Sequence, residues 1–271
     1  MALFFFFFLQ PIKMRFLVLY GVFLALVTSY RRPRVARWTH TSFAASIGGT
    51  RSDSAAAATA ATPTVDVVTF AGVKFGAPLS TSMRTLGITE PTPIQKASIA
   101  PLTAGLTCIL HAQTGSGKTL TYLLPLLKRL LRSDGTVDTT PLQGLIIVPT
   151  KELAVQVAAD VAALLSKSDD VIDCSAVHLC LKTTRAGFDD VKAPIVVGTP
   201  FKILDALKLS SPRLVRTLNY LVLDEVDRML VVLSKYASND DKREARAEPN
   251  PAAEVVSLLV KAKLAAQVTY E

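Results

Sequence analysis

The sequence predicts an α/β domain built on a mostly parallel sheet with helices on both faces. Three observations predict it. Strand-length apolar runs alternate with helical stretches from Val65 onward, a Gly-rich loop joins one such run to a helix, and another run ends in two adjacent carboxylates. The chain is 271 residues long and 50% hydrophobic, enough for one large domain. Its 19% charged residues and 7% aromatics exclude a disordered or low-complexity protein.

Residues 1–64 read as a leader. Five consecutive phenylalanines lie between Leu3 and Leu9, Lys13 and Arg15 follow, and Phe16–Val27 forms an apolar run of signal-peptide length, too short to span a bilayer comfortably. Thr28 and Ser29 supply small residues for cleavage. Tyr30, Arg31, Arg32, Pro33, Arg34 and Arg37 come next, then a Ser/Thr/Ala tract to about Pro63, the composition of an organelle transit peptide. A signal sequence followed by a transit peptide resembles the bipartite leaders of plastids from secondary endosymbiosis. A mitochondrial presequence is the second reading. A membrane anchor, or a true start at Met14, is the third. No packed contact between leader and domain is expected. The leader holds seven of the basic residues against Asp53 alone, so it carries +6 of the formal +8. The basic balance is therefore no argument for nucleic-acid binding by the folded part.

In the domain, strands are expected at Thr107–Leu110, Gly144–Val148, Ala176–Leu179, Ile195–Val197 and Tyr220–Leu223. Helices are expected at Pro93–Ala104, Lys118–Leu131, Lys151–Leu165, Phe201–Leu207 and Glu254–Ala266. A charged stretch at about 234–252, containing Glu-Pro-Asn-Pro, reads as a surface loop. Cys108, Cys174 and Cys180 have no metal spacing and no disulfide framework. Cys108 reads as a buried small hydrophobe. No stable membrane association of the folded domain is expected.

Ala112-Gln113-Thr114-Gly115-Ser116-Gly117-Lys118-Thr119 follows a strand and opens a helix. A phosphate-binding loop needs that setting. Gly115 and Gly117 let successive backbone N–H groups turn toward an anion, and the helix N-terminus adds positive potential. Lys118 then reaches the β/γ-phosphates of a nucleotide and the Thr119 hydroxyl ligates Mg²⁺. Tyr220–Leu223 is a buried-type strand ending in Asp224-Glu225. In a parallel sheet the strand C-termini face the ligand crevice, so Asp224 would hold the Mg²⁺ sphere, in part through water, and Glu225 would orient an attacking water.

With these residues in place the sequence resembles the DEAD-box ATP-dependent RNA helicases. Asp224-Glu225-Val226-Asp227 is similar to their Asp-Glu-Ala-Asp box, and Ala112–Thr119 to their phosphate loop, including its Ala start. Gly87-Ile88-Thr89-Glu90-Pro91-Thr92-Pro93-Ile94-Gln95 resembles their Q motif, with Phe70 at the family's distance upstream. The resemblance implies that Gln95 reads the adenine edge of ATP, since a carboxamide donates and accepts at once, and that Phe70 covers the base. Pro149-Thr150-Lys151-Glu152-Leu153-Ala154 resembles Pro-Thr-Arg-Glu-Leu-Ala, and Thr199-Pro200-Phe201-Lys202 stands for Thr-Pro-Gly-Arg. Both motifs imply RNA-backbone contact through Pro149, Thr150, Lys151, Thr199, Pro200 and Lys202. Lys151 and Lys202 keep the charge without the bidentate guanidinium. Phe201 replaces a glycine and is expected to crowd the groove, and Leu181-Lys182-Thr183-Thr184 occupies the place of the family's paired glycines.

The resemblance covers about residues 69–271 and implies a single RecA-like P-loop domain. Gln267-Val268-Thr269-Tyr270-Glu271 resembles the strand leading into the family's Ser-Ala-Thr motif. The second RecA-like domain, with its arginine finger and half the RNA groove, is thus expected beyond this sequence. The implied function is that of an RNA helicase and ATP hydrolase, with ATP and Mg²⁺ as cofactors and RNA as partner, present here as an ATP-binding fragment. A non-catalytic ATP- or RNA-binding module is the alternative. Use of ATP speaks against plain secretion and for an organelle, with the plastid ahead of the mitochondrion.

Overall fold

The structure is a computed structural model that describes residues 2–8, 67–132, 136–140, 142–166, 176–182, 187–230 and 250–268. Cys174, Thr183, Thr184, the rest of the leader and residues 234–249 of the expected surface loop lie outside the described residues.

Strand β1 spans Ala2–Phe8, and a short hairpin follows, β2 (Val68–Phe70) and β3 (Val73–Phe75). Helices α1 (Ala77–Thr85) and α2 (Pro93–Thr103) lead to β4 (Cys108–Ala112) and α3 (Lys118–Leu130). Then come β5 (Gly144–Ile147), α4 (Lys151–Leu165), β6 (Val177–Cys180), β7 (Ile195–Gly198), α5 (Pro200–Leu209) and α6 (Pro212–Thr217). The described residues end with β8 (Tyr220–Leu223), α7 (Val226–Met229) and α8 (Pro251–Val268).

The main sheet has the order β4-β1-β8-β5-β7-β6. β5 pairs in parallel with both β7 and β8, and β6 in parallel with β7. β5, β7 and β8 are buried along their whole length, which is why each reads as a continuous apolar run. Side chains alternate across the sheet. Ile146, Ile195, Val197, Tyr220 and Val222 join one core with residues of α2, α3 and α4. Leu145, Ile147, Val196, Leu221 and Leu223 join a second core with residues of α5 and α8. Helices therefore cover both faces, as expected, and the five strands and five helices expected between Pro93 and Ala266 are present.

Three expectations are corrected. The leader was expected to make no packed contact, but the backbone of β1 pairs antiparallel with β4 (Phe4 with Leu110) and with β8 (Phe6 with Val222). An aromatic run has high strand propensity, and a strand placed between two others satisfies the backbone groups of both. Gln267 and Val268, expected in a strand, end helix α8, and residues 269–271 lie outside the described residues. The expected loop to residue 252 gives way to α8 at Pro251, where Asn250 accepts from the backbone N–H groups of Ala252 and Ala253. An Asx side chain serving the first free N–H groups of a helix is a strong start signal.

The β2–β3 hairpin was not expected, because each of its strands is only three residues long. Ala71 and Gly72 both sit at positive φ, as a two-residue hairpin turn requires. Ser80 of α1 fixes the hairpin to the domain, accepting from the Val68 N–H at 3.0 Å and donating to the Phe75 carbonyl at 2.8 Å.

Candidate nucleotide and RNA site

The phosphate loop is tied to the segment before α2. Gly117 caps α3 in the left-handed region at φ 85. Gln95 of α2 is 3% exposed, and its Nε2 donates to the Gly117 carbonyl at 3.1 Å while its Oε1 accepts from the Thr92 N–H at 2.9 Å. Thr92 in turn donates its hydroxyl to the Ser116 carbonyl at 2.9 Å. A Cβ on Gly117 would stand 2.4 Å from the Gln95 Nε2, so glycine is required both by the backbone angle and by the contact. Gly115 also has positive φ, at 78, but faces open space.

Lys118 is buried and donates to the carbonyls of Ala112 and Gln113 at 2.8 and 2.7 Å, folding the loop over its own ammonium. Gln113, Thr114 and Gly115 are exposed at the loop crest. The Ser116 hydroxyl is buried without a hydrogen-bond partner among the described residues. An orphaned donor, an open face at Gly115 and N–H groups turned by two left-handed glycines form a donor set that fits phosphate oxygens.

Asp224 follows β8 and is 4% exposed, its N–H donating to the Ile147 carbonyl at 2.9 Å. Burial, then the neighbouring Glu225 charge, push its carboxyl up to about 6, against the opposing pull of the Glu225 backbone N–H, Lys118 and the Tyr122 hydroxyl. The fully buried Tyr122 of α3 lies between Thr119 and Asp224, and its phenol is pushed well above the ordinary range by burial and then by the Asp224 charge. Thr119, Tyr122, Lys118 and Asp224 therefore converge. No group of three or more His, Cys, Asp or Glu side chains able to hold a metal ion by itself is present among the described residues. A Mg²⁺ ion suits this donor set all the same, since it is commonly held by one or two carboxylates together with substrate phosphates and water.

Glu225 sits at φ 50, ψ 49, a backbone state that costs a residue with a side chain about 1–2 kcal/mol. Its carboxylate accepts from Arg228 at 3.0 Å. The strain turns the chain sharply at the strand end and separates the roles of the two adjacent carboxylates, one buried beside Lys118 and one at the rim.

Phe70, the last residue of β2, is 1% exposed and belongs to the core. Gln95 is engaged by protein backbone on both amide atoms, so adenine reading would use the second Nε2 proton and the second Oε1 lone pair.

The expected RNA-contacting residues lie along one edge. β5 and β7 are paired with Ile147 opposite Gly198, and the Val148 N–H donates to the Gly198 carbonyl at 3.0 Å. Pro149-Thr150-Lys151 and Thr199-Pro200-Lys202 therefore leave the sheet side by side. Thr150 caps α4 by accepting from the Leu153 N–H, which fixes its hydroxyl in a structural role. Lys151 is exposed, and Lys202 is half-buried, 4.0 Å from Asp205. Phe201, expected to crowd the groove, has a side chain 67% exposed beside these residues. Sequence reasoning missed Tyr122, which a position three residues after Thr119 on the same helix face could have flagged. It also missed Gly198, where a Cβ would meet the Cys180 carbonyl at 2.5 Å.

Comparison with known proteins gives a consistent result. The DEAD/DEAH box helicase family model matches residues 92–248. The chain is 38% identical over 163 residues to the ATP-dependent RNA helicase drs1 of Sclerotinia sclerotiorum, covering 60% of this chain and 20% of that protein. It is 37% identical over 166 residues to drs1 of Neurospora crassa, covering 61% and 20%. The crystal structure of a DEAD box protein from the hyperthermophile Methanococcus jannaschii is similar at 25% identity and a TM-score of 0.46, covering 60% of this chain and 42% of that one. The chain thus spans about a fifth of the length of the curated relatives it matches.

Proposed function

Since the chain belongs to the DEAD/DEAH box helicase family, we propose that it is the ATP- and Mg²⁺-binding domain of an ATP-dependent RNA helicase. The observation that carries this is the convergence of Lys118, Thr119 and Asp224 at one end of the sheet, beneath a loop whose glycines turn its N–H groups outward. Each residue has a defined task. The N–H groups from Gly115 to Thr119 bind phosphate oxygens. Lys118 exchanges the carbonyls of Ala112 and Gln113 for phosphate. Thr119 and Asp224 hold Mg²⁺, which when bound neutralises charge on the phosphates. Glu225, held by Arg228, orients the water and takes its proton at the carboxylate. RNA lies along the ends of β5 and β7, on Pro149, Thr150, Lys151, Thr199, Pro200 and Lys202. The expected second RecA-like domain would complete both sites.

The test is binding of a fluorescent ATP analogue to the full chain with and without Mg²⁺. Wild type should bind more tightly with Mg²⁺. Lys118→Ala should abolish binding, and Glu225→Gln should retain it while losing any turnover. Mg²⁺-independent binding that survives Lys118→Ala would reject the site.

The proposed location is an organelle, with the plastid ahead of the mitochondrion, on the composition of residues 1–64. Those residues fused to a fluorescent protein should carry it there. Diffuse cytosolic signal would refute the reading.

A further inference from the structure

Three of the domain's phenylalanines, Phe70, Phe75 and Phe188, are buried, whereas Phe201 is 67% exposed. A single exposed apolar side chain is ordinary, so its position is what matters. Phe201 is the second residue of α5, directly behind the cap residue Thr199 and Pro200. The register fixes its neighbours. Gly198 of β7 lies between Ile147 of β5 and Cys180 of β6. The chain leaving β5 reaches the exposed Lys151 within four residues, and the chain leaving β6 reaches the exposed Lys182 within two. Lys202 adjoins Phe201 on its own helix. Three lysines and the positive ends of α4 and α5 thus border one exposed aromatic ring, with Glu152 the acid on the first turn of α4 and Asp205 one turn further along α5, 4.0 Å from Lys202.

We propose that Phe201 is a base-stacking platform for single-stranded RNA. The lysines and helix ends take the phosphates, and the ring takes the face of one base. This rests on the RNA reading above and adds a base contact to a surface otherwise built for the backbone. A polyanion with flat apolar bases complements both features of the edge. Stacking of this kind tolerates any base, because every base has a π-face. It therefore contributes affinity without sequence preference.

The experiment uses the full chain saturated with a Mg²⁺-bound, non-hydrolysable ATP analogue. It compares a ten-nucleotide oligouridylate with an abasic oligomer of the same length by fluorescence anisotropy. Phe201→Leu should weaken oligouridylate binding by about 5- to 100-fold. It should leave the abasic oligomer unchanged, and Phe201→Tyr should restore the difference. Lys151→Ala should weaken both oligomers alike. If Phe201→Leu leaves oligouridylate binding intact, or weakens both oligomers equally, the platform is refuted while the RNA reading stands, and the ring is better read as a protein contact. If wild type binds neither oligomer, the RNA reading falls and the platform with it.

Discussion

Gly117→Ala tests the coupling between the segment before α2 and the phosphate loop. The substitution meets two costs. Alanine at φ 85 costs about 1–2 kcal/mol. Its Cβ also falls 2.4 Å from the Gln95 Nε2, so the buried amide must leave its place and give up the Gly117 carbonyl. An unsatisfied buried amide costs about 1–3 kcal/mol. Together these lower stability by about 2–5 kcal/mol. At about 2–4 °C per kcal/mol for a domain of this size, the melting temperature should fall by about 4–20 °C. Gly115→Ala is the internal control, since φ is 78 there but no atom lies within 4 Å of the added Cβ, and it should cost only the backbone share, about 1–2 kcal/mol. The assay is a double-mutant cycle in denaturant. With Gln95→Ala already present no amide is left to displace, so Gly117→Ala should then cost no more than Gly115→Ala does. An equal cost of Gly117→Ala in both backgrounds would refute the reasoning and reduce Gly117 to a turn glycine.

The remaining predictions concern the metal end of the site. Asp224 has its carboxyl raised from 3.8 to about 6, so the folded state holds a proton that the unfolded state releases. In Mg²⁺-free buffer stability should therefore rise as pH falls from about 6 toward 4. Asp224→Asn should flatten that rise and add about 2–3 kcal/mol at neutral pH, while abolishing the Mg²⁺ effect on nucleotide binding. A pH-independent gain from Asp224→Asn would contradict this. Tyr122→Phe removes the hydroxyl between Thr119 and Asp224. It should raise the Mg²⁺ concentration needed for tight nucleotide binding by about tenfold and leave Mg²⁺-free binding unchanged, as read by Mg²⁺ titration. Equal loss with and without Mg²⁺ would mean that the hydroxyl only packs.

The parts of the fold read from the sequence are those whose pattern is dictated by one physical requirement. β5, β7 and β8 are buried on both faces, so their sequences have no polar position to confuse the reading. The helix of Lys151–Leu165 matches its expected bounds because Thr150 caps it with its own side chain. The hairpin was invisible because three residues carry no period. β1 was not read as a strand because its pairing is decided by the two strands it lies between.

At the site, the sequence identified residue types and left their direction open. Gln95 and Phe70 show why. A motif spacing places both near the phosphate loop, but spacing does not say whether a side chain faces solvent or the core, and here packing turns both inward. Phe201 shows the converse, for its side chain stays exposed at the expected RNA edge. Tyr122 lies in no motif, and a tyrosine in the second turn of a buried helix reads as core. Its significance comes only from the tertiary approach of Asp224 to α3. The strained backbone of Glu225 belongs to the same class. A left-handed residue with a side chain is disfavoured locally, so no local rule predicts it. It persists because the strand end, the Arg228 partner and the burial of Asp224 together fix the turn. Local propensity thus fails at Glu225, a position on which the chemistry of the site depends.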